Sequence, residues 1–459
     1  MVRRNEYRFR LLLVAGLAGM LTSTPGTAAI YTVGPSGSFG TLQAALDVAA
    51  ASADDDQLRL EAEVLFGTAT INVDSATGSL IVSGGWNSSF TELIASGNAF
   101  NSTFLNASGS DTTLRVSVSS GILELSGFRV SFGSGASGTG GNIEAKVNGG
   151  ELRLFDMHFR NGSAVHVGAG GQFTAYESGT IRGTLCSFAN NNLTPTAATR
   201  AGAGARLNAA DSGLIVFSET DIFANEVGAG APVSGVGLDV DARGDSRVNL
   251  SDVLVVSNST AASSGSAFNV TARGNALVNG ERLTLSGNSG AVGATAIRQV
   301  QVATFDSAQV YLTDSLISDS AMTGIGAMAT AGNGIHFNNL TVTRNTGAGV
   351  AFFAQPGASI TLHNSIVHGN GSSEPATTAS GNNLGANLGL PAPTFVTTGN
   401  YRLAPGSRGI DEGTAAVPGG LGLLDLDRQE RISGASVDIG AYEQVSDTQF
   451  ANGFEGSAP

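Results

Sequence analysis

Two runs of carboxylates stand out in a chain where only 13% of residues are Asp, Glu, Lys or Arg. The first is Asp54-Asp55-Asp56. The second is Asp425, Asp427, Asp438 and Glu443. Converging carboxylates can hold Ca2+, which takes roughly six to eight oxygen ligands. A close pair can also serve as general acid and base. The first run precedes an extended segment and reads as a solvated turn. In the second, Asp425 and Asp427 alternate as on one strand face, so pairing with Arg428 and Arg431 is the expected role. Asp425, Asp427 and Asp438 stand as the candidate metal ligands, with calcium as the only cofactor considered. Trp86 is the only tryptophan and suits packing beneath a cap or stacking on a sugar. Cys186 is the only cysteine, so no intramolecular disulfide forms, and its apolar surroundings mark it as a core residue.

The elements that must position these groups follow from a degenerate repeat. Its template is two apolar residues in alternation, a mostly polar anchor, an apolar residue three positions later, and Asn, Asp or Gly five or six positions later. The anchors are Gly127, Asp156, Leu185, Glu219, Asp252, Arg282, Asp314, Asn339 and Asn364, spaced 25–34 residues apart. Between anchors lies a second extended segment, such as "GVGLDVDARGDS" (235–246) or "GSAFNVTARGNA" (265–276). Alternation of period two bounded by Gly, Asn and Asp marks strands. Helical repeats need 3.6-residue amphipathic runs, and these segments have none. Propeller blades are longer, and leucine-rich repeats need denser leucine. Two or three short strands per turn predict a parallel β-helix with one row of Val, Leu, Ile and Phe inward. The recurring Asn positions predict hydrogen-bonded ladders at the bends rather than a metal row. Phe128, Phe132, Phe155, Phe159, Phe188, Phe217, Phe223, Phe268, Phe337, Phe352 and Phe353 fall in or near strands, where stacked core aromatics are expected.

Composition supports this. The chain has 459 residues and 64 glycines, with 41% hydrophobic residues, enough for a large core and unlike disorder. Residues 1–29 have the pattern of a secretory leader. Arg3, Arg4, Arg8 and Arg10 form a basic start, Leu11–Leu21 is an apolar run too short to span a bilayer, and small residues follow. Cleavage after Ala29 places Thr27 and Ala29 at positions −3 and −1. Removing four Arg and one Glu leaves 19 basic against 36 acidic side chains, a net of −17. Such a balance disfavours nucleic acid and anionic membranes as partners.

At both ends the chain resembles a known group. "YTVGPSGSFGTLQAALDVAA" (31–50), "DDDQLRLEAEVL" (54–65) and "VSGGWNSSF" (82–90) resemble the start of secreted bacterial right-handed β-helix proteins of the pectin-lyase-like superfamily. Leu42, Ala45, Leu46 and Ala49 have helical spacing and suit a short helix over the open end of the solenoid. "YRLAPGSRGIDEG" (401–413) and "DLDRQERISGASVDIGAYE" (425–443) resemble the C-terminal signature of choice-of-anchor Q domain proteins, with Arg408 and Gly409 where that pattern has Pro-Ala. The ending "FANGFEGSAP" (450–459) resembles a tail on some secreted Gram-negative proteins.

The resemblance implies an all-β, right-handed parallel β-helix solenoid with an N-terminal capping helix. The expected organisation is a leader (1–29), an N-terminal cap with the first coils (30–110), central coils (111–372), a C-terminal cap region (373–445) and a tail (446–459). Polysaccharide-cleaving relatives carry Gly-His-Gly and Arg-x-Lys motifs that this chain lacks; His166 and His368 are not flanked by two glycines. The expected function is a secreted or cell-surface protein, non-enzymatic, with an adhesion or glycan-contacting role toward an extracellular polysaccharide or a host or cell-surface glycan. The alternative is a polysaccharide lyase or glycoside hydrolase acting on an acidic polymer. An outward groove with a convergent Arg and two or more carboxylates would favour that alternative.

Overall fold

In a computed structural model, residues 28–444 are described, except 76, 95–102, 136–139, 166, 195–201, 230–233, 263, 292–295 and 373–378. The leader (to residue 27), the tail and His166 therefore lie outside the described residues.

Among the described residues, five consecutive coils run through the same stations. An extended arm such as Glu151–Phe155 meets the anchor, and a shorter arm such as His158–Arg160 follows. Both arms belong to a 22-stranded sheet. A two-residue strand of a five-stranded sheet comes next, then a loop, then a strand of a ten-stranded sheet. Pairing between coils is parallel and in register: Ile143 lies beside Leu114 on one side and Gly171 on the other. The alternation in each strand sends its apolar residues into one continuous core, including Leu152, Leu154, Ile181, Ile215, Val248, Val278, Val310 and Ile335. The chain is a right-handed parallel β-helix.

The repeat's polar positions resolve into separate bends. The anchors Asp156, Leu185, Glu219, Asp252, Arg282, Asp314, Asn339 and Asn364 have φ between 46° and 56°. The residues five positions later, Asn161, Asn190, Ala224, Ser257 and Asp319, are left-handed as well. This conformation turns the chain sharply and points the side chain away from the core: Leu185 is exposed despite its apolar character, whereas Asp314, Asn339 and Asn364 are buried.

Six positions after the anchor comes the predicted ladder. Asn191 Nδ2 donates to Asn225 Oδ1 at 2.9 Å, Asn225 Nδ2 to Asn258 Oδ1 at 2.9 Å, and Asn258 Nδ2 to Asn288 Oδ1 at 3.1 Å. The same oxygens accept from the backbone N–H of the preceding rung. Three coils lack the asparagine, at Gly133, Gly162 and Ser320, and a neighbouring amide fills the last two gaps. Where Gly162 stands, Asn142 reaches in, accepting from Gly133 N at 3.0 Å and donating to Asn191 Oδ1 at 3.1 Å. A Cβ on Gly162 would lie 2.6 Å from Asn142 Nδ2, so glycine is required there. Where Ser320 stands, Gln299 bridges the gap, accepting from Asn288 at 3.0 Å and donating to Asn345 Oδ1 at 2.8 Å.

The N-terminal end is closed by the predicted helix α1 (Leu42–Ala49), whose N-cap Thr41 accepts from Ala44 N. Its buried face is Leu42, Ala45, Leu46 and Ala49, which covers core that a terminal coil would expose to water. Core aromatics stack as expected for Phe159 and Phe188, with ring centroids 4.9 Å apart, and Phe173 meets both edge-on. Phe132, Phe155 and Phe353 depart from the expectation and are exposed. Phe132 occupies a left-handed bend, and Phe155 and Phe353 fall on the outward phase of their strands.

Candidate functional site

The sequence-predicted acids occupy two structural settings. In the first run Asp54 and Asp55 are exposed, while Asp56 is buried at the edge of the sheet. Asp55 Oδ1 accepts from Ser79 N at 2.8 Å, and Asp56 Oδ1 from Ala29 N at 3.1 Å.

The second run belongs to a C-terminal segment that folds back along the anchor column. Asn364 and Thr414 exchange two hydrogen bonds, Asn338 Nδ2 donates to Pro418 O, and Arg428 reaches Asp252 (3.2 Å) and Glu219 (2.9 Å). This segment crosses about five inter-strand spacings, or roughly 24 Å. Its arginines pair with the solenoid rather than with Asp425 and Asp427, contrary to expectation: Arg431 is buried 3.2 Å from Asp314, and Arg428 serves Asp252 and Glu219. Asp427 pairs instead with Arg402.

Asp425, Asp438 and Glu443 turn their oxygens toward backbone N–H groups. Asp425 accepts from Asp427, Gln429 and Glu443; Asp438 from Asp411 and Gln444; Glu443 from Ser433 and Asp438. Burial pushes Glu443 up to about 7, and Asp314 up to about 6 against the opposing charge of Arg431. Among the described residues no three metal-ligating side chains gather. Burial pushes the Cys186 thiol up to about 12, as suits a core residue. Trp86 is half-buried under the Arg59 guanidinium, 4.2 Å from its ring centroid, with its indole N–H on Ser83.

The densest outward chemistry lies on the ten-stranded sheet. Strands Ala205–Ala209 and Leu238–Ala242 point Leu207 and Val240 inward, so Arg206, Asp239 and Asp241 point outward. Register places Arg206 beside Asp239, and Asp239 beside Asn269 of the next coil. Arg206 Nε stands 3.5 Å from Asp239, and its Nη2 3.6 Å from Asp241. Asn269 Nδ2 donates to Asp239 at 2.8 Å, and Arg243 grips Asp241 through two nitrogens. Arg206, Asp239 and Asp241 are all less than 9% exposed although they face away from the core. Burial pushes Asp239 up to about 6, opposed by the Arg206 charge.

The strip continues toward the N-terminal end through Gln172, Glu144, Lys146 and Arg115. Lys146 Nζ is 2.8 Å from Glu144. In the other direction it passes Gln301 and Arg298, whose side chain lies across Gly326. It ends on Met328 and the exposed Phe353. Two polar atoms of the strip are buried without a hydrogen-bond partner, Gln172 Oε1 and Arg206 Nε.

Reading carboxylates only as sequence clusters misses this centre. The signal was present: "LDVDA" in period two puts both aspartates on one face, and aligning it on "ARLNA" of the previous coil sets Arg206 beside them.

The fold and this strip define a right-handed parallel β-helix with a polar outer face on one sheet. Residues 230–387 match the family model described as "Right handed beta helix region". Among solved structures, the pectate lyase Pel9A is similar at 15% identity with a TM-score of 0.44, covering 92% of this chain and 98% of that one. The pectin methylesterase from Aspergillus niger is similar at 12% identity with a TM-score of 0.31, covering 80% of this chain and 88% of that one. No curated protein matches the sequence. Among the described residues no helix is long and apolar enough to cross a membrane.

Proposed function

We propose that this chain is a secreted or cell-surface β-helix that holds an extended acidic polysaccharide along its ten-stranded sheet. The observation that carries the reading is the outward strip itself. In a chain of formal net charge −14, the strands of this face bring Arg115, Lys146, Arg206 and Arg298 together against Glu144, Asp239 and Asp241. Cations outnumber acids here, while they are outnumbered in the whole chain. The buried Arg206 guanidinium supplies positive charge beneath this face, and the more exposed Lys146 and Arg115 offer a glycan carboxylate direct contact. Amides at Gln172, Asn269 and Gln301 suit sugar hydroxyls, and Phe353 offers a flat apolar face at the end of the strip. The test is binding of polygalacturonate and alginate to the wild type and to Arg206→Ala. Equal affinity of the two proteins, or no binding by either, overturns the reading.

A further inference from the structure

Asp54-Asp55-Asp56 is a run of three carboxylates with no cation: among the described residues none of them pairs with a Lys, Arg or His. Asp56 is 3% exposed, and its Oδ2 is buried without a hydrogen-bond partner. Its Oδ1 has one partner, the backbone nitrogen of Ala29, at 3.1 Å. Leaving a buried carboxylate oxygen unsatisfied is costly, so such a group calls for a missing donor.

Ala29 stands at the edge of the leader pattern. Its carbonyl accepts from Gln57 N at 2.9 Å, continuing the ladder of β1 (Ile30–Val33) with the strand Asp56–Glu61. Cleavage after Ala29 would remove this acceptor and also the only partner of Asp56. Cleavage one bond earlier, between Ala28 and Ala29, keeps both and converts the Ala29 amide into an ammonium with three donors and a full charge. Gly26 and Ala28 then occupy the small-residue positions −3 and −1.

We infer that the leader is removed between Ala28 and Ala29, and that the new α-ammonium of Ala29 docks on Asp56 as the cation of the acidic run. The step is hydrolysis: water adds across the Ala28–Ala29 amide, giving a carboxylate on the released leader and an amine that takes up a proton. The inference rests on the reading of residues 1–28 as a leader.

The test uses the full chain expressed with its own leader in an exporting bacterial host. N-terminal sequencing and intact mass should return Ala29 as the first residue; Ile30 first, or a retained leader, overturns the inference. Lys146 is the only other primary amine, so acylation of the α-amine is readable by peptide mass. Docking on Asp56 should raise the α-amine above its ordinary pKa of about 8 and slow its acylation at pH 8 about tenfold. Asp56→Asn should restore the fast rate, whereas Asp55→Asn, at an exposed position, should not. If Asp56→Asn does not accumulate, the wild-type labelling midpoint decides: a value at or below about 8 overturns the docking.

Discussion

Two rows of polar side chains follow the solenoid, and both contain buried groups. One is the Asn ladder at the bends; the other is the strip of Arg206, Asp239 and Asp241 on the ten-stranded sheet. Burial alone does not separate them. Hydrogen bonding does. Ladder asparagines such as Asn225 and Asn258 have both side-chain atoms engaged, with the amide giving to one coil and the oxygen taking from another. In the strip, Arg206 Nε and Gln172 Oε1 have no partner, and the ion pairs of Arg206 are long at 3.5 and 3.6 Å. Structural polar groups close on one another because an orphaned donor inside a fold costs about 1–3 kcal/mol. The strip leaves such groups open, and so does the C-terminal fold-back at Arg431 Nε, Arg431 Nη1 and Asp314 Oδ2; ligand binding is the property that separates the two.

The largest effect should come from breaking the closed row. Asn258→Ala removes the acceptor for Asn225 N and for Asn225 Nδ2, takes away one of the two donors to Asn288 Oδ1, and frees the carbonyl of Ile222. With several groups orphaned together, urea denaturation should show a loss of about 4 kcal/mol. A loss below about 1 kcal/mol would mean that water replaces the ladder without cost. The gap-filling rungs sharpen the point. Asn142→Ala should cost about 2 kcal/mol, and adding Gly162→Asn should not recover it, because a Cβ at 162 would lie 2.1 Å from the Ala169 carbonyl oxygen whichever residue stands at 142. Gly162→Asn alone should destabilise, since its Cβ would meet Asn142 Nδ2.

The ladder was legible in outline because asparagine recurs five or six residues after an anchor, although only the sixth position forms it and Asn161 and Asn190, at the fifth, are left-handed bends; the solenoid and its capping helix were legible too. The two gap-filling amides were not, because Asn142 and Gln299 come from the opposite end of a loop whose length varies between coils. No fixed offset connects them to Gly162 or Ser320. The Arg206 centre was half legible. Alternation alone puts Asp239 and Asp241 on one face, but Arg206 joins them only once neighbouring coils are aligned across a gap of 33 residues. The fold-back of the C-terminal segment was invisible. Arg428 lies 3.2 Å from Asp252 across 176 residues, a contact set by the path of the chain and by no local pattern.

Opening the other row should have the reverse signature. Arg206→Ala should weaken polygalacturonate binding about tenfold, or 1.4 kcal/mol, and should cost less stability than Asn258→Ala although it leaves Asp239 buried without its cation. The cost is limited because Asp241 keeps its two contacts from Arg243, Asp239 keeps Asn269, and Asp239 can take up a proton. If Arg206→Ala instead unfolds the protein as Asn258→Ala does, the two rows are alike and the strip is structural.

The smallest effect expected is also the most specific to the open row. Asp239 holds its proton up to about pH 6 in the folded protein, against 3.8 as the ordinary value. Below the ordinary value it is protonated in folded and unfolded chains alike, and its burial carries no charge penalty. As pH rises through 6 the folded protein must bury a charge, so this group's contribution to stability falls. The same titration governs an acidic ligand. Neutral Asp239 does not repel a glycan carboxylate at Arg206 and can donate a hydrogen bond; ionised Asp239 repels it and competes for the guanidinium. Affinity for polygalacturonate should therefore rise about threefold between pH 7 and pH 5, a range above the pKa of a typical uronate, so the ligand stays charged throughout. Asp239→Asn should flatten that profile at the tighter value. A Glu443→Gln variant, altered in a carboxyl that titrates at about 7 but lies in the C-terminal fold-back, should leave the profile unchanged. A profile that flattens only in Glu443→Gln would move the pH response to the fold-back and leave Asp239 as a structural charge.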